Sequence, residues 1–486
     1  MIDTKALRSK ILDLAIQGKL TEQLPEDGTA EELYEQIQDE KEKLIQKGKL
    51  KKEKPLPEIA EEEIPFEIPE NWKWVRLKEI CSKIVDGDHN PPKGVNKKTD
   101  FLMLSAQNII NNRIDIFNKV RYLSSDVFKE ENKRTQLEKN DILLTIVGTI
   151  GRSCVYQGNY NICFQRSVAV ITTLANSKFI KYSFDIPYIQ KFMESKATGD
   201  AQLGFYLNKL EKLLVPLAPP SEQNRIVKKI EQLFSVLDTI DALQAQYADN
   251  RKALKSKLID AAIQGKLTEQ LPEDGTAEEL YQQIQEEKQK LINAGKLKKE
   301  KPLPEIADEE IPFEIPENWR WYRLSSIMMK ITDGTHNSPP NEAQGEFMYV
   351  TAKNIKEYGV NLDNITYVSQ DVHNEIYSRC NPELGDVLLI KDGATTGIVT
   401  VNNIEKPFSM LSSVALIKPL LGVEPWFIVY ALRSSWFYKY IRSEMTGVGI
   451  TRVVLRQIET FLLPLPPLSE QKRIVSALNE LLPLLE

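Results

Sequence analysis

Two histidines share one local setting: Asp86-Gly87-Asp88-His89 and, 247 residues on, Asp333-Gly334-Thr335-His336. One His per occurrence cannot assemble a metal site, and no Ser or Cys nucleophile is tied to either. A structural or DNA-facing loop is therefore favoured over a catalytic one. Near these loops fall side chains able to read base edges by hydrogen bonds or to meet phosphates. They are Lys93, Gln107, Asn108, Arg152, Gln165 and Arg166, then Lys353, Asn354, Lys391, Arg452 and Arg456. With His89 and His336 they form the candidate DNA-binding set, although each type also occurs as a solvated surface residue. The Gly-bearing turns Val147 to Arg152 and Asp392 to Gly397 each follow a strand. Such turns either present backbone N–H groups to phosphates or close a hairpin.

Other fragments imitate catalytic signatures without completing them. Asn90-Pro91-Pro92-Lys93 is similar to the loop with which adenine methyltransferases grip a flipped base. Lys93, however, stands where a stacking ring belongs, and the later counterpart reads Asn337-Ser338-Pro339-Pro340, so a proline-rich turn is expected. Gly447-Val448-Gly449 lacks the strand and acidic partner of a dinucleotide fold and reads as a loop. Cys81, Cys154, Cys163 and Cys380 lie far apart with no C-x-x-C pair, which suits free buried thiols rather than disulfides or zinc. No catalytic residue and no metal ligand is assigned.

The elements that must position these residues come twice. Leu7 to Leu77 returns as Leu254 to Leu324 with only 12 of 71 positions changed. The stretches that follow have diverged, leaving islands: SAQNI (105–109) against TAKNI (351–355), NDILLTIVGTIG against GDVLLIKDGATTG, and VPLAPPSEQNRIV against LPLPPLSEQKRIV. From Ser221 to Gln264 an amphipathic stretch runs without Gly or Pro, with Ile226, Ile230, Leu233, Leu237 and Ile240 on a 3-4 spacing. That spacing predicts a coiled-coil helix of about 66 Å. The C-terminus repeats its first part and the N-terminus its last, so the two termini together tile one such helix. A circular, pseudo-twofold repeat with long antiparallel helices is expected. Pro483, where the central copy has Ser235, should kink or end the last helix. Thr29 with Glu32, and Thr276 with Glu279, form capping boxes that open helices running to Gly48 and Gly295. The Pro-punctuated KLKKEKPLPEIA segments read as extended linkers. Short β-rich runs at Asp141 to Val147 and Asp386 to Ile390 predict small α/β (α+β) domains.

This reading divides the chain into a helical scaffold and linker (1–64), a variable domain (65–215), a central helix with the second scaffold repeat (216–311), a second variable domain (312–463) and a distal helix (464–486). Their net charges are −5, +6, −4, −2 and −1, within a total of −6. An acidic scaffold is unsuited to phosphates and suits contact with other proteins; only the first variable domain is basic. The composition, 42% hydrophobic and 27% charged, excludes wholesale disorder. No apolar run is long enough for a membrane span and the N-terminus is not a signal peptide, so a cytoplasmic protein is expected.

Two variable domains, each followed by SEQ-x-RIV and preceded by IPENWKWVRL or IPENWRWYRL, resemble the specificity subunit of type I restriction-modification systems. The resemblance covers essentially the whole chain. It implies two target recognition domains, each reading half of a bipartite asymmetric site in double-stranded DNA. It also implies helices that hold two modification (methyltransferase) subunits, with restriction subunits joining them. AdoMet, ATP and Mg²⁺ would belong to those partners, and the subunit itself would be non-catalytic with no cofactor. An adaptor for two non-DNA ligands would show the same repeat, as would an enzyme with duplicated active sites, which the missing nucleophiles disfavour.

Overall fold

A computed structural model describes residues 1–52, 54–199, 202–299, 302–447 and 451–485, so Val448 and Gly449 of the G-x-G loop lie outside the described residues. The chain forms two compact units, Met1–Ala245 and Gln246–Glu486, built from the same succession of elements. Their boundary falls inside one helix, Pro220–Ile263, whose 44 residues match the 3-4 spacing of the sequence. Among the described residues no helix is long and apolar enough to cross a membrane.

In the first unit the helix Thr4–Ile16 runs antiparallel to the start of the long helix. Thr4 Oγ1 donates to Asp241 at 2.5 Å, and Arg8 reaches Asp238 at 2.8 Å and Asp241 at 3.0 Å. Those polar contacts are exposed and set direction more than stability; Leu12, Ala15 and Ile16 supply the burial, in one core with Ile226 and Ile230. In the second unit the end of the long helix meets the helix Leu468–Leu481, with Ile259 and Ala262 against Ile474 and Leu478. That helix ends two residues before Pro483, as the missing N–H requires.

The capping boxes form as their spacing demands. Thr29 N–H donates to Glu32 at 3.1 Å and Glu32 N–H to Thr29 Oγ1 at 3.3 Å, opening the helix Ala30–Gln46. Thr276 and Glu279 do the same at 2.8 and 3.2 Å for the helix Ala277–Asn293. The linkers are extended but anchored. Arg76, buried, donates to the carbonyls of Pro57 and Glu58 and pairs with Glu63 at 2.9 Å, while Arg323 binds Pro304, Glu305 and Glu310 alike.

Each variable domain is closed at its base by two strands, Lys73–Arg76 with Leu214–Leu217 and Arg320–Arg323 with Leu462–Leu465. Above them lies a four-stranded antiparallel sheet, in the order Cys81–Asp86, Val168–Thr173, Ile142–Thr145, Ser153–Val155 in the first unit. Its middle strands are buried on both faces, and side chains alternate between two cores. Ile142, Leu144, Ala169 and Ile171 face the scaffold core, whereas Leu143, Val168 and Val170 join Leu102, Leu104 and Phe164 in the outer one. Phe101–Leu104, running parallel to Asn161–Phe164 and paired with Arg121–Tyr122, carries that outer core. The second unit repeats both layers, with Val387, Leu389, Ala415 and Ile417 inward and Leu388, Ile390, Val414 and Leu416 outward. All four cysteines are free and buried, and burial pushes each thiol up to about 12.

The SEQ-x-R segment is where scaffold, domain base and long helix meet. Glu222 is 0% exposed; its carboxylate accepts from Trp72 Nε1 at 2.8 Å, Gln23 Nε2 at 2.8 Å and Thr21 Oγ1 at 3.5 Å. Gln223 accepts from the Asn176 N–H at 3.0 Å and donates to the Ala218 carbonyl at 2.6 Å. Arg225 forks onto both oxygens of Asp27 at 2.6 and 2.5 Å. In the second unit Glu470 holds Trp319, Gln270 and Thr268, Gln471 binds the Glu424 N–H, and Arg473 forks onto Asp274.

Removing the Glu222 carboxylate strands buried donors, so Glu222→Ala should lower stability by about 3 kcal/mol and Glu222→Gln by less, read by urea unfolding with Trp fluorescence. The Arg225 and Arg473 guanidinium groups hold the Asp27 and Asp274 carboxyls below the usual carboxylate range. A depressed folded pKa stabilises above the unfolded value and is lost as pH falls through the folded one. The stability gap between wild type and Arg225→Met should therefore narrow as the pH drops from about 6 to about 3.

Candidate nucleic-acid interface

Strand direction gathers the candidate residues of the first domain. Cys81–Asp86, Phe101–Leu104, Ile142–Thr145 and Asn161–Phe164 all end at the edge where Ser153–Val155 and Val168–Thr173 begin. Backbone bonds then lace the loops together. Asp88 N–H donates to Phe164 O at 2.8 Å, Arg166 N–H to Asp88 O at 2.8 Å, and Gln165 N–H to Leu104 O at 2.9 Å. Ser167 joins two more loops, accepting from the Ala106 N–H at its Oγ at 3.0 Å and from the Ile146 N–H at its carbonyl at 2.9 Å. In the second domain Thr335 binds Met410 O, and Ser413 receives the N–H groups of Ala352 and Lys391.

Lys93, Gln107, Arg152 and Arg166 are exposed and Gln165 is half-buried; in the second domain His336, Lys353, Arg452 and Arg456 are exposed, though the helix that carries Arg456 packs against Leu324–Ile327, the turn before the strand Met328–Asp333, and not among the edge loops. The backbone of Arg452 bridges that of Asp392, beside the Gly-bearing turn, while Arg456 lies in the short helix Leu455–Glu459. Three candidates need correction. Asn108 is 0% exposed, its Oδ1 accepting from the Ser105 N–H at 3.0 Å and its Nδ2 donating to the carbonyls of Asp115 and Asn118. Asn354 is likewise buried, bound to Thr351 and to the Asn361 carbonyl. A buried amide bonded inside its own loop is not presented to a base edge. Lys391 is buried too, 3.2 Å from Asp392 and 3.5 Å from Asp333. The Gly-bearing turns are hairpins: Gly151 N–H returns to Thr145 O, Gly397 N–H to Ile390 O, and Gly148 and Gly393 bond to Leu203 and Thr451.

The Asp-Gly-x-His loop is a strut. The Asp86 carboxylate takes His89 Nε2 at 2.8 Å on one oxygen and Arg134 Nη2 at 2.5 Å on the other, while Arg134 Nε donates to the Asp86 carbonyl. Asp333 takes Arg379 at 2.6 Å and lies 3.5 Å from His336. The two arginines, half-exposed at the ends of the helices Ser125–Thr135 and Gln370–Arg379, escaped the sequence reading. A signal existed, since each stands seven residues ahead of the Asp that opens the DILL or DVLL strand. The glycines are required by close approach, because a Cβ on Gly87 would lie 2.0 Å from Phe164 O and one on Gly334 1.8 Å from Met410 O. The arrangement holds a loop in place and leaves the exposed side chains around it to meet a ligand.

The sequence profile of the type I restriction modification DNA specificity domain matches residues 69–246 and 316–485, the two variable domains with the helix that follows each. The chain is 30% identical to the EcoAI specificity subunit of Escherichia coli, over 98% of this chain and 89% of that one. It is 27% identical to the EcoEI specificity subunit of the same species, over 98% and 88%. A solved chain from a study of complex assembly and conformational transition of the type I R-M system shares the fold at TM-score 0.59 and 18% identity, over 87% of this chain and 92% of that one. The chain belongs to the type I restriction-modification specificity family and carries two copies of its DNA specificity domain.

Asn108→Ala should destabilise the first domain by about 1–3 kcal/mol, since it leaves the Ser105 N–H and two carbonyls unpaired. Arg134→Ala, at a half-exposed site, should cost about 1 kcal/mol or less. Gly87→Ala must displace the loop. Urea unfolding orders the three.

Proposed function

We propose that this chain is the DNA-recognition subunit of a type I restriction-modification complex, reading a bipartite asymmetric site in double-stranded DNA with one half for each variable domain. Its two scaffold repeats hold two modification (methyltransferase) subunits, and restriction subunits join that assembly in the cytoplasm. Methylation and cleavage belong to those partners, with AdoMet, ATP and Mg²⁺ as their cofactors, and this chain contributes no catalytic group.

One observation carries the reading: the framework recurs bond for bond while the exposed edge does not. Glu222, Arg225, Arg76 and Ser167 have counterparts in Glu470, Arg473, Arg323 and Ser413 with the same partners. On the edge Gln107 is answered by Lys353, Arg166 by Ser412 and Gly204 by Arg452. Equal scaffolds suit two copies of one partner. Unequal side chains on equal loops suit two different base sequences, because base edges are told apart by donor and acceptor pattern.

Replacing residues 65–215 by a foreign recognition domain should change one half of the methylated sequence and leave the other intact, as read by sequencing methylated adenines; a shift in both halves would refute independent readers. Within the first domain, Arg152→Ala or Arg166→Ala should cost about 1–3 kcal/mol in binding if the side chain reads a base, and weaken all sequences alike if it touches phosphate. A gel-shift with the partner methyltransferase separates these outcomes.

A further inference from the structure

The scaffold repeat varies unevenly. Helix Ala30–Gln46 and the Lys47 that caps it differ from their second copy at five positions, Glu35, Asp39, Glu42, Gln46 and Lys47, whereas Gly48 to Ala60 is identical to Gly295 to Ala307 over all 13 residues. Most of that linker is exposed, so packing alone does not dictate its side chains. It holds four lysines and two glutamates, a basic island in a scaffold segment of net charge −5.

Structure gives the island a shape. The chain reverses after the helix at Gly48, φ +69°, with Lys49 and Leu50 N–H both returning to Leu44 O at 2.9 and 3.2 Å, and Lys296 and Leu297 return to Leu291 O at the same distances. Between helix and linker in the first unit runs a groove with half-buried Ile45, Leu50 and Leu56 on its floor and exposed Lys51, Lys52 and Lys54 on its rim. Its position argues against the DNA that the recognition edge would meet. Gln38 Nε2 donates to Glu79 O at 3.0 Å, tying the groove to the turn before strand Cys81–Asp86, and the recognition loops begin at the far end of that strand. Six residues of strand separate the two by about 20 Å.

We infer that this groove and its repeat are the docking sites for an acidic segment with aliphatic side chains, one on each methyltransferase subunit. Aliphatic groups enter between Ile45, Leu50 and Leu56, and carboxylates meet Lys51, Lys52 and Lys54. The second site uses Leu297, Lys298 and Lys299. This inference rests on the proposed function, which supplies two equal partners; the groove adds where they dock and with what chemistry.

The test uses the full-length chain with its methyltransferase subunit, weighed by native mass spectrometry and titrated at low and moderate salt. Wild type should reach two methyltransferases per chain. Lys51→Glu/Lys52→Glu/Lys54→Glu should weaken one of the two by roughly tenfold or more and stop at one under the same conditions. Lys298→Glu/Lys299→Glu should act on the other, and thermal unfolding of the free chain should be unchanged because these lysines are exposed. Charge-reversed chains that still take two methyltransferases with unaltered affinity would overturn the docking site. So would an intact 2:1 complex with weakened DNA binding, which would make the groove a nucleic-acid contact. A wild-type chain that binds DNA specifically but takes no methyltransferase would instead overturn the proposed function's partner reading, and the docking site with it.

Discussion

A buried carboxylate is tolerable only if its oxygens are fully bonded, and this protein places one at the junction of every major part of each unit. Glu222 sits at the start of the long helix, Trp72 at the base of the variable domain, and Thr21 and Gln23 in the loop after the first helix. Because Trp72 and the loop of Thr21 and Gln23 are separate elements, the carboxylate is satisfied only when both are docked on the helix. Glu470 imposes the same condition on the second unit. Apolar burial around Ile226 and Ile230 supplies the bulk driving force; the carboxylate decides which arrangement is accepted.

That division lets the variable domains differ. The loops of the exposed edge are held by backbone bonds, by Ser167 or Ser413, by buried Asn108 or Asn354, and by the Asp86–Arg134 or Asp333–Arg379 pair. None of these requires a particular side chain at Gln107, Arg166, Lys353 or Arg452. The sheet beneath is apolar on both faces and indifferent to what its loops display. Side chains on the edge can change without disturbing the core.

The repeat, the long helix, both capping boxes, the end of the last helix before Pro483 and the short α/β domains were legible in the sequence. Each rests on local chemistry: a 3-4 apolar period, a Thr with Glu three residues later, a proline without an N–H. So was the weight of the SEQ-x-R segment, though not its reason, since the partners of Glu222 and Arg225 lie about 150 to 200 residues away.

What only the tertiary structure decided is which polar residues remain free. Asn108 and Gln107 are neighbours of similar chemistry; one is buried with every hydrogen-bonding group engaged and the other faces solvent. Lys391 reads as a phosphate-seeking lysine until Asp333, 58 residues earlier, is placed beside it. Arg134 reads as an ordinary charge in a helix until it closes on Asp86. Sequence determines residue type and local period, and from these the elements and the duplicated plan follow. Whether a side chain is available to a ligand depends on partners distant along the chain, and only folding brings those together.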